Sequence, residues 1–135
     1  GDGESRDWLI GLTKEYGLEN RVTFAGQVSE TELLEHLANC RAVCFPTTEE
    51  DYGLVTVEAF ASRKAVITCT DSGGPTELVC NEKNGLVIEP TAKSLAIALA
   101  RISEDSTLAE SFGVAGLRQV TAMTWQRAVD RLLLV

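Results

Sequence analysis

Phe45-Pro46-Thr47-Thr48-Glu49-Glu50-Asp51-Tyr52-Gly53-Leu54-Val55-Thr56-Val57-Glu58-Ala59-Phe60-Ala61 is the stretch from which the rest of the chain is read. It begins at the end of a β-prone run, Ala42 to Phe45, which Pro46 closes because proline has no N–H to give to a ladder. An acidic loop leads to Gly53, and Leu54 to Ser62 then carries a helical apolar pattern. Strand, loop and helix start follow one another. Seven residues separate Glu50 from Glu58, so one carboxylate lies in the loop and the other at least a turn inside the helix, placed to face one pocket from two sides. At the helix start, the N–H groups of Gly53, Leu54 and Val55 lack intrahelical acceptors and favour an anion such as phosphate. Gly53 lets a ligand approach the backbone, and a carboxylate further along can accept ribose hydroxyls. Together these groups suggest a nucleotide. Spacing alone leaves another reading open, in which Glu49, Glu50 and Asp51 are a solvated loop and Glu58 an ordinary helix-surface residue.

Outward from this centre, strands and helices alternate. Ser5 is placed to cap a half-buried helix with Trp8, Leu9, Leu12 and Tyr16 at helical spacing, stopped by Gly17. Arg21 to Ala25 reads as a strand with Val22 and Phe24 on one face, turned into a loop by Gly26. Ser29 and Glu32 form a capping box for a helix carrying Leu33, Leu34, Leu37 and Ala38. On the other side, Ala65-Val66-Ile67-Thr68-Cys69-Thr70 has the continuous β-rich character of a buried parallel strand. Asp71 to Pro75 is a loop, Glu77-Leu78-Val79 a helical turn, and Gly85-Leu86-Val87-Ile88 a further strand. Thr91 or Ser94 opens a helix with Leu95, Ala98, Leu99 and Ile102; Leu108, Phe112 and Ala115 mark another, weakened by Gly113 and Gly116. Thr124 caps a last helix with an apolar stripe of Trp125, Ala128, Val129, Leu132 and Leu133. The alternation predicts an α/β fold, a parallel sheet flanked by helices on both faces. Ligands in such sheets sit beyond the strand C-termini, where the loops at Gly26, Thr47 to Gly53 and Asp71 to Pro75 are expected to gather.

The 135 residues fit one domain, 1–135, without a visible repeat or linker. With 44% hydrophobic residues, 24% charged and only 3 Pro, the composition is that of a folded chain. A net charge of -8 opposes nonspecific binding to nucleic acid or to an anionic membrane face. No apolar run reaches the length of a transmembrane segment, and Gly1-Asp2-Gly3-Glu4 lacks signal-peptide organisation, so a cytoplasmic protein is expected. Cys40, Cys44, Cys69 and Cys80 form no CxxC pair and are expected as buried free thiols. The one histidine, His36, lies in a helical pattern, so no metal site is expected.

Glu50-Asp51-Tyr52-Gly53-Leu54-Val55-Thr56-Val57-Glu58-Ala59 resembles the E-x7-E signature of nucleotide-sugar glycosyltransferases of group 1, or family 4. Gly1-Asp2-Gly3, Val22 to Gly26, Asp71 to Glu77 and Asn84 to Val87 resemble further motifs of that family in its order, and Thr124-Trp125 its late aromatic helix start. Four ordered motifs covering nearly the whole chain decide between the two readings of the acidic loop. What is resembled is the C-terminal, donor-binding half of a GT-B enzyme, a Rossmann-like domain. The resemblance implies a retaining transfer of sugar from a nucleotide diphosphate sugar to an acceptor hydroxyl. It assigns Glu50 to the donor-sugar hydroxyls as the catalytic-site carboxylate, Glu58 to the ribose, Gly53, Leu54 and Val55 to the diphosphate, and Gly26 to the surroundings of the base. Gly73, Gly74 and Glu77 match a neighbouring loop, either structural or touching the ligand.

Some positions depart from the family. Asp51 and Tyr52 stand where Pro-Phe is commoner, and Arg63 and Ala65 where Gly and Pro usually precede the next strand. The larger departure is that family members carry, before the equivalent of Gly1, an acceptor domain, two further strands, and an Arg and Lys that neutralise the donor diphosphate. The resemblance therefore implies a partial donor-binding domain, inactive alone, whose partners are a nucleotide-sugar donor and the N-terminal acceptor domain. No cofactor is implied. The alternatives are a noncatalytic sugar-nucleotide binding module, a GT-B nucleotide-sugar epimerase, and an acidic metal site at Glu49, Glu50 and Asp51, which would need several oxygen ligands in one shell.

Overall fold

A computed structural model describes residues 2–133, so Gly1 of the Gly1-Asp2-Gly3 stretch lies outside the described residues. By its internal contacts the chain divides into two units, Gly1–His36 and Leu37–Val135.

The first unit contains α1 (Arg6–Glu15) and most of α2 (Glu30–Asn39). Ser5 occupies the N-cap position of α1, but its backbone is already helical and its hydroxyl makes no capping bond. At the other end Gly17 adopts φ +63, and the N–H of Leu18 returns to the Thr13 carbonyl at 2.9 Å, the stop expected of that glycine. No residue of α1 is fully buried; of the stripe expected to make it half-buried, Leu12 is half-buried, whereas Trp8 and Tyr16 are both about two-thirds exposed. A helical period identifies an apolar face, whereas burial requires something to cover it. The capping box of α2 forms as read. The Ser29 N–H and hydroxyl both donate to Glu32 Oε2 at 2.8 Å, and the Glu32 N–H donates to Ser29 Oγ at 3.3 Å. Those bonds, the backbone one foremost, hold the Glu32 carboxyl below its ordinary range. Arg21 to Ala25, expected as a strand, begins in a turn at Arg21 and joins no ladder among the described residues. Alternation of Val22 and Phe24 specifies two faces and says nothing of a neighbour.

The second unit is built on three strands, β1 (Ala42–Cys44), β2 (Ala65–Cys69) and β3 (Gly85–Ile88), all parallel in the order β1-β2-β3. Ala42 pairs with Ala65, and Cys69 with Ile88. Around them lie α3 (Leu54–Ala61), α4 (Pro75–Leu78), α5 (Ala92–Glu104), α6 (Ser106–Thr121) and α7 (Trp125–Leu133). Every residue of central β2 is buried, and its alternation sorts the core into two clusters. Ala65 and Ile67 pack with Leu86, Ala98, Ile102, Ala109 and Phe112; Val66 packs with Ala59, Phe60, Leu78 and Val79.

Helix α6 explains two residues that propensity alone makes look harmful. A Cβ on Gly113 would stand 2.0 Å from the Arg63 carbonyl oxygen, and one on Gly116 would stand 2.2 Å from Cδ1 of fully buried Phe60. The glycines let α6 close directly on α3 and on the turn leading into β2. The caps of α5 and α6 are side-chain oxygens: Thr91 Oγ1 accepts from the Ser94 N–H at 3.1 Å and Asp105 Oδ1 from the Leu108 N–H at 2.8 Å. All four cysteines are free, but only Cys69 is buried; Cys44 and Cys80 are exposed and Cys40 half-buried. Cys44 ends an edge strand and Cys80 opens a turn, where apolar sequence neighbours do not decide which way a side chain faces. No helix of the described residues is long and apolar enough to cross a membrane.

Candidate functional site

Beyond the C-terminal ends of β1 and β2, the loops 45–53 and 70–75 run side by side and continue the sheet's parallel pairing. The Glu49 N–H donates to the Asp71 carbonyl at 3.0 Å, the Glu50 N–H to the Ser72 carbonyl at 3.1 Å, and the Gly74 N–H to the Glu50 carbonyl at 2.7 Å. Glu50 and Gly73 form a parallel bridge. Such contact leaves no room for a side chain at positions 73 and 74 of the second loop. A Cβ on Gly73 would lie 2.6 Å from the Glu50 carbonyl oxygen, and one on Gly74 2.5 Å from that of Asp51. The Gly-Gly pair thus has a demonstrable packing reason, the close approach of one backbone to another.

Gly53 turns this loop into α3. It holds the N-cap position at φ +75, the left-handed region that glycine enters freely, and a Cβ there would meet Pro75 Cγ at 2.7 Å. Its N–H donates to Glu50 Oε1 at 3.3 Å. Of the three amides singled out in the sequence, that of Gly53 therefore already has a carboxylate partner. Those of Leu54 and Val55 open the helix, ahead of its first intrahelical acceptor. Glu58 stands exposed on α3 while Thr56, Ala59 and Phe60 on the same helix are fully buried. Glu50 is half-buried. Gly26 belongs to the first unit; it has φ +70 and lies against Asp2, whose Oδ2 accepts the Gln27 N–H at 3.2 Å. Tyr52 lines a cavity of about 750 Å³ together with Gln119, Met123, Trp125, Arg127 and Arg131; neither Glu50 nor Glu58 contributes to it.

Charge is polarised along the sheet. Glu49, Glu50, Asp51, Asp71 and Glu89 follow the strand C-termini, and no Lys or Arg occurs in 42–62 or 65–82. Burial, followed by the Asp71 and Glu89 charges, pushes the Cys69 thiol up. At the opposite ends, Arg41 donates to the Ser103 carbonyl at 2.6 Å and Lys64 to that of Ala38 at 2.8 Å, both at helix C-termini, while Arg63 pairs with Glu110 at 3.2 Å. An anion approaching the first turn of α3 meets amides but no cation from these two segments. Among the described residues no three His, Cys, Asp or Glu side chains converge as a metal cluster.

The family model described as "Glycosyl transferases group 1" matches residues 1–119. The chain belongs to the group 1 glycosyltransferase family. Alpha-1,3/1,6-mannosyltransferase ALG2 of Dictyostelium discoideum is 35% identical over 107 residues, 79% of this chain and 25% of that protein. The structure of sucrose-phosphate synthase from Thermosynechococcus elongatus superposes with a TM-score of 0.85 at 34% identity, covering 98% of this chain and 33% of that one. Anabaena HepE, solved in complex with UDP-glucose, superposes with a TM-score of 0.79 at 26% identity, over 98% of this chain and 38% of its own. The group 1 domain thus has the α/β fold of GT-B glycosyltransferases and spans about a quarter to two-fifths of these relatives. Sequence reasoning does not single out Ser72. A small buried hydroxyl ahead of a glycine pair has no periodicity or charge to mark it.

Proposed function

We propose that residues 1–135 are part of the donor-binding domain of a retaining glycosyltransferase that moves a sugar from a nucleotide diphosphate sugar to an acceptor hydroxyl. The observation that carries this reading is the held geometry of the Glu50 to Glu58 segment. One carboxylate is tied to the helix-opening glycine, two amides open α3, and the second carboxylate stands exposed on that helix. Family membership and the UDP-glucose bound to HepE support a nucleotide-sugar donor.

In this assignment Leu54 and Val55 offer their N–H groups to the diphosphate, Glu58 accepts from the ribose hydroxyls, and Glu50 meets the sugar. As the glycosidic bond breaks, negative charge grows on the leaving diphosphate, and groups already aimed at it stabilise that charge more than the ground state. A helix N-terminus contributes only about 0.3–1 kcal/mol toward an exposed anion. No Lys or Arg occurs in 42–62 or 65–82, and in this assignment the Arg and Lys for the diphosphate, like the acceptor, come from the rest of a longer enzyme. The isolated 135-residue chain is therefore expected to bind donor weakly or not at all and to transfer nothing.

The test is Glu50→Gln in the full-length enzyme. Loss of a sugar-positioning contact is expected to lower transfer by roughly 100-fold while nucleoside diphosphate affinity stays near that of the unsubstituted protein. An equal fall in both would place Glu50 in the nucleotide site or in the fold, and unchanged transfer would remove it from the reaction.

A further inference from the structure

Ser72 is fully buried, and its hydroxyl is used twice. Oγ accepts the Cys69 N–H at 3.1 Å, tying the residue to the end of β2, and donates to the Thr47 carbonyl at 2.7 Å across to the first loop. Its main-chain carbonyl accepts the Glu50 N–H at 3.1 Å. One residue thus grips the acidic loop at two points, Thr47 through the side chain and Glu50 through the backbone. Between them Glu49 is held at φ +51, a conformation that non-glycine residues adopt only when their surroundings hold them there. The Asp71 carbonyl, on the residue before Ser72, takes the Glu49 N–H.

Resting on the assignment of Glu50 to the donor sugar, we propose that Ser72 is a positioning residue for the transfer reaction: its hydroxyl keeps the 47–50 loop in the strained form that aims the Glu50 carboxylate. Other bonds seat the fold around it. β2 is anchored by its pairings with β1 and β3, and α3 by its packing on the core. Loss of the hydroxyl therefore frees the loop at Thr47 while the backbone bonds of Glu49, Glu50 and Gly74 remain, so the loop loosens before the sheet does. The Leu54 and Val55 amides and Glu58 belong to α3 rather than to the loop, so the nucleotide site is expected to keep its shape.

A double-mutant cycle in the full-length enzyme tests this. Ser72→Ala is expected to lower kcat by on the order of 10- to 100-fold with nucleoside diphosphate affinity within about threefold. In a Glu50→Gln background the same change is expected to cost almost nothing further, because the group it aims is gone. A full additional loss in that background, or a Ser72→Ala enzyme as fast as the unsubstituted one, overturns the proposal. A Glu50→Gln enzyme with undiminished transfer refutes the assignment of Glu50 instead. Amide hydrogen exchange, compared between the unsubstituted full-length enzyme and its Ser72→Ala variant, supplies a second test, with the β2 amides as the control for a folding defect. The Glu49 and Glu50 amides are expected to exchange faster in Ser72→Ala while the β2 amides keep their protection, and unchanged exchange at Glu49 and Glu50 shows that the hydroxyl does not hold the loop and the proposal is wrong.

Discussion

Helices α3 and α7 are close in length and both rich in apolar residues, yet one is locked and the other lies on the surface. On α3, Thr56, Ala59 and Phe60 have no exposed area, Gly116 of α6 closes onto Phe60, and Gly53 closes onto Pro75. On α7 no residue is buried: Trp125 is 88% exposed and Leu132 76%. The helix with the cleaner amphipathic stripe is the unburied one. A helix with apolar residues at exposed as well as buried positions shows almost no stripe: on α3 Leu54 is 64% exposed and Phe60 fully buried. The difference also locates the rigid part of the molecule. The Leu54 and Val55 amides open the locked helix and Glu58 stands on it, so their geometry is set by core packing rather than by loop fluctuation.

Breaking the packing of α3 is expected to have the largest effect. Gly116→Ala forces a methyl into the Phe60 ring, and overpacking of this kind costs about 2 kcal/mol or more. The loss is expected even though alanine is intrinsically better than glycine in a helix by about 1 kcal/mol. Denaturant unfolding measures it, and a stabilised variant would mean that α6 stands off α3. Thr56→Val sharpens the contrast in the opposite direction. Thr56 Oγ1 is buried and, among the described residues, has no hydrogen-bond partner, so the near-isosteric methyl is expected to stabilise by about 1 kcal/mol. A loss of stability of that size would reveal an unrecognised partner for the hydroxyl. The smallest effect is expected on α7. Leu132→Ala removes a side chain that is three-quarters exposed and is expected to change stability by less than about 0.5 kcal/mol, against about 2–5 kcal/mol for the same truncation in a core. A core-sized loss would show that α7 is covered in solution.

The three strands, α3 and the Ser29–Glu32 capping box were legible because each depends on local chemistry: continuous apolar runs, a proline stop, a glycine turn, a paired hydroxyl and carboxylate. Elements that depend on a distant partner were not. The Val22 and Phe24 alternation does not reveal that no ladder forms among the described residues, and the α1 pattern does not reveal that Trp8 and Tyr16 stay about two-thirds exposed. Gly113 and Gly116 look like flaws until α3 and Arg63 are seen against them. At the candidate site, Glu50, Gly53 and Glu58 stand out by charge and spacing. The pairing of loop 45–53 with loop 70–75 depends on backbone groups, which every sequence contains.

The central claim, that α3 carries a nucleotide site, is tested most directly by calorimetric titration of a nucleoside diphosphate into the full-length enzyme and its Glu58→Gln variant. Charged hydrogen bonds to the ribose are worth about 1.5–3 kcal/mol, so the variant is expected to bind at least about tenfold more weakly with an unaltered unfolding midpoint. Equal affinities of the two proteins would contradict the assignment of Glu58 and, with it, the placing of the nucleotide on this helix.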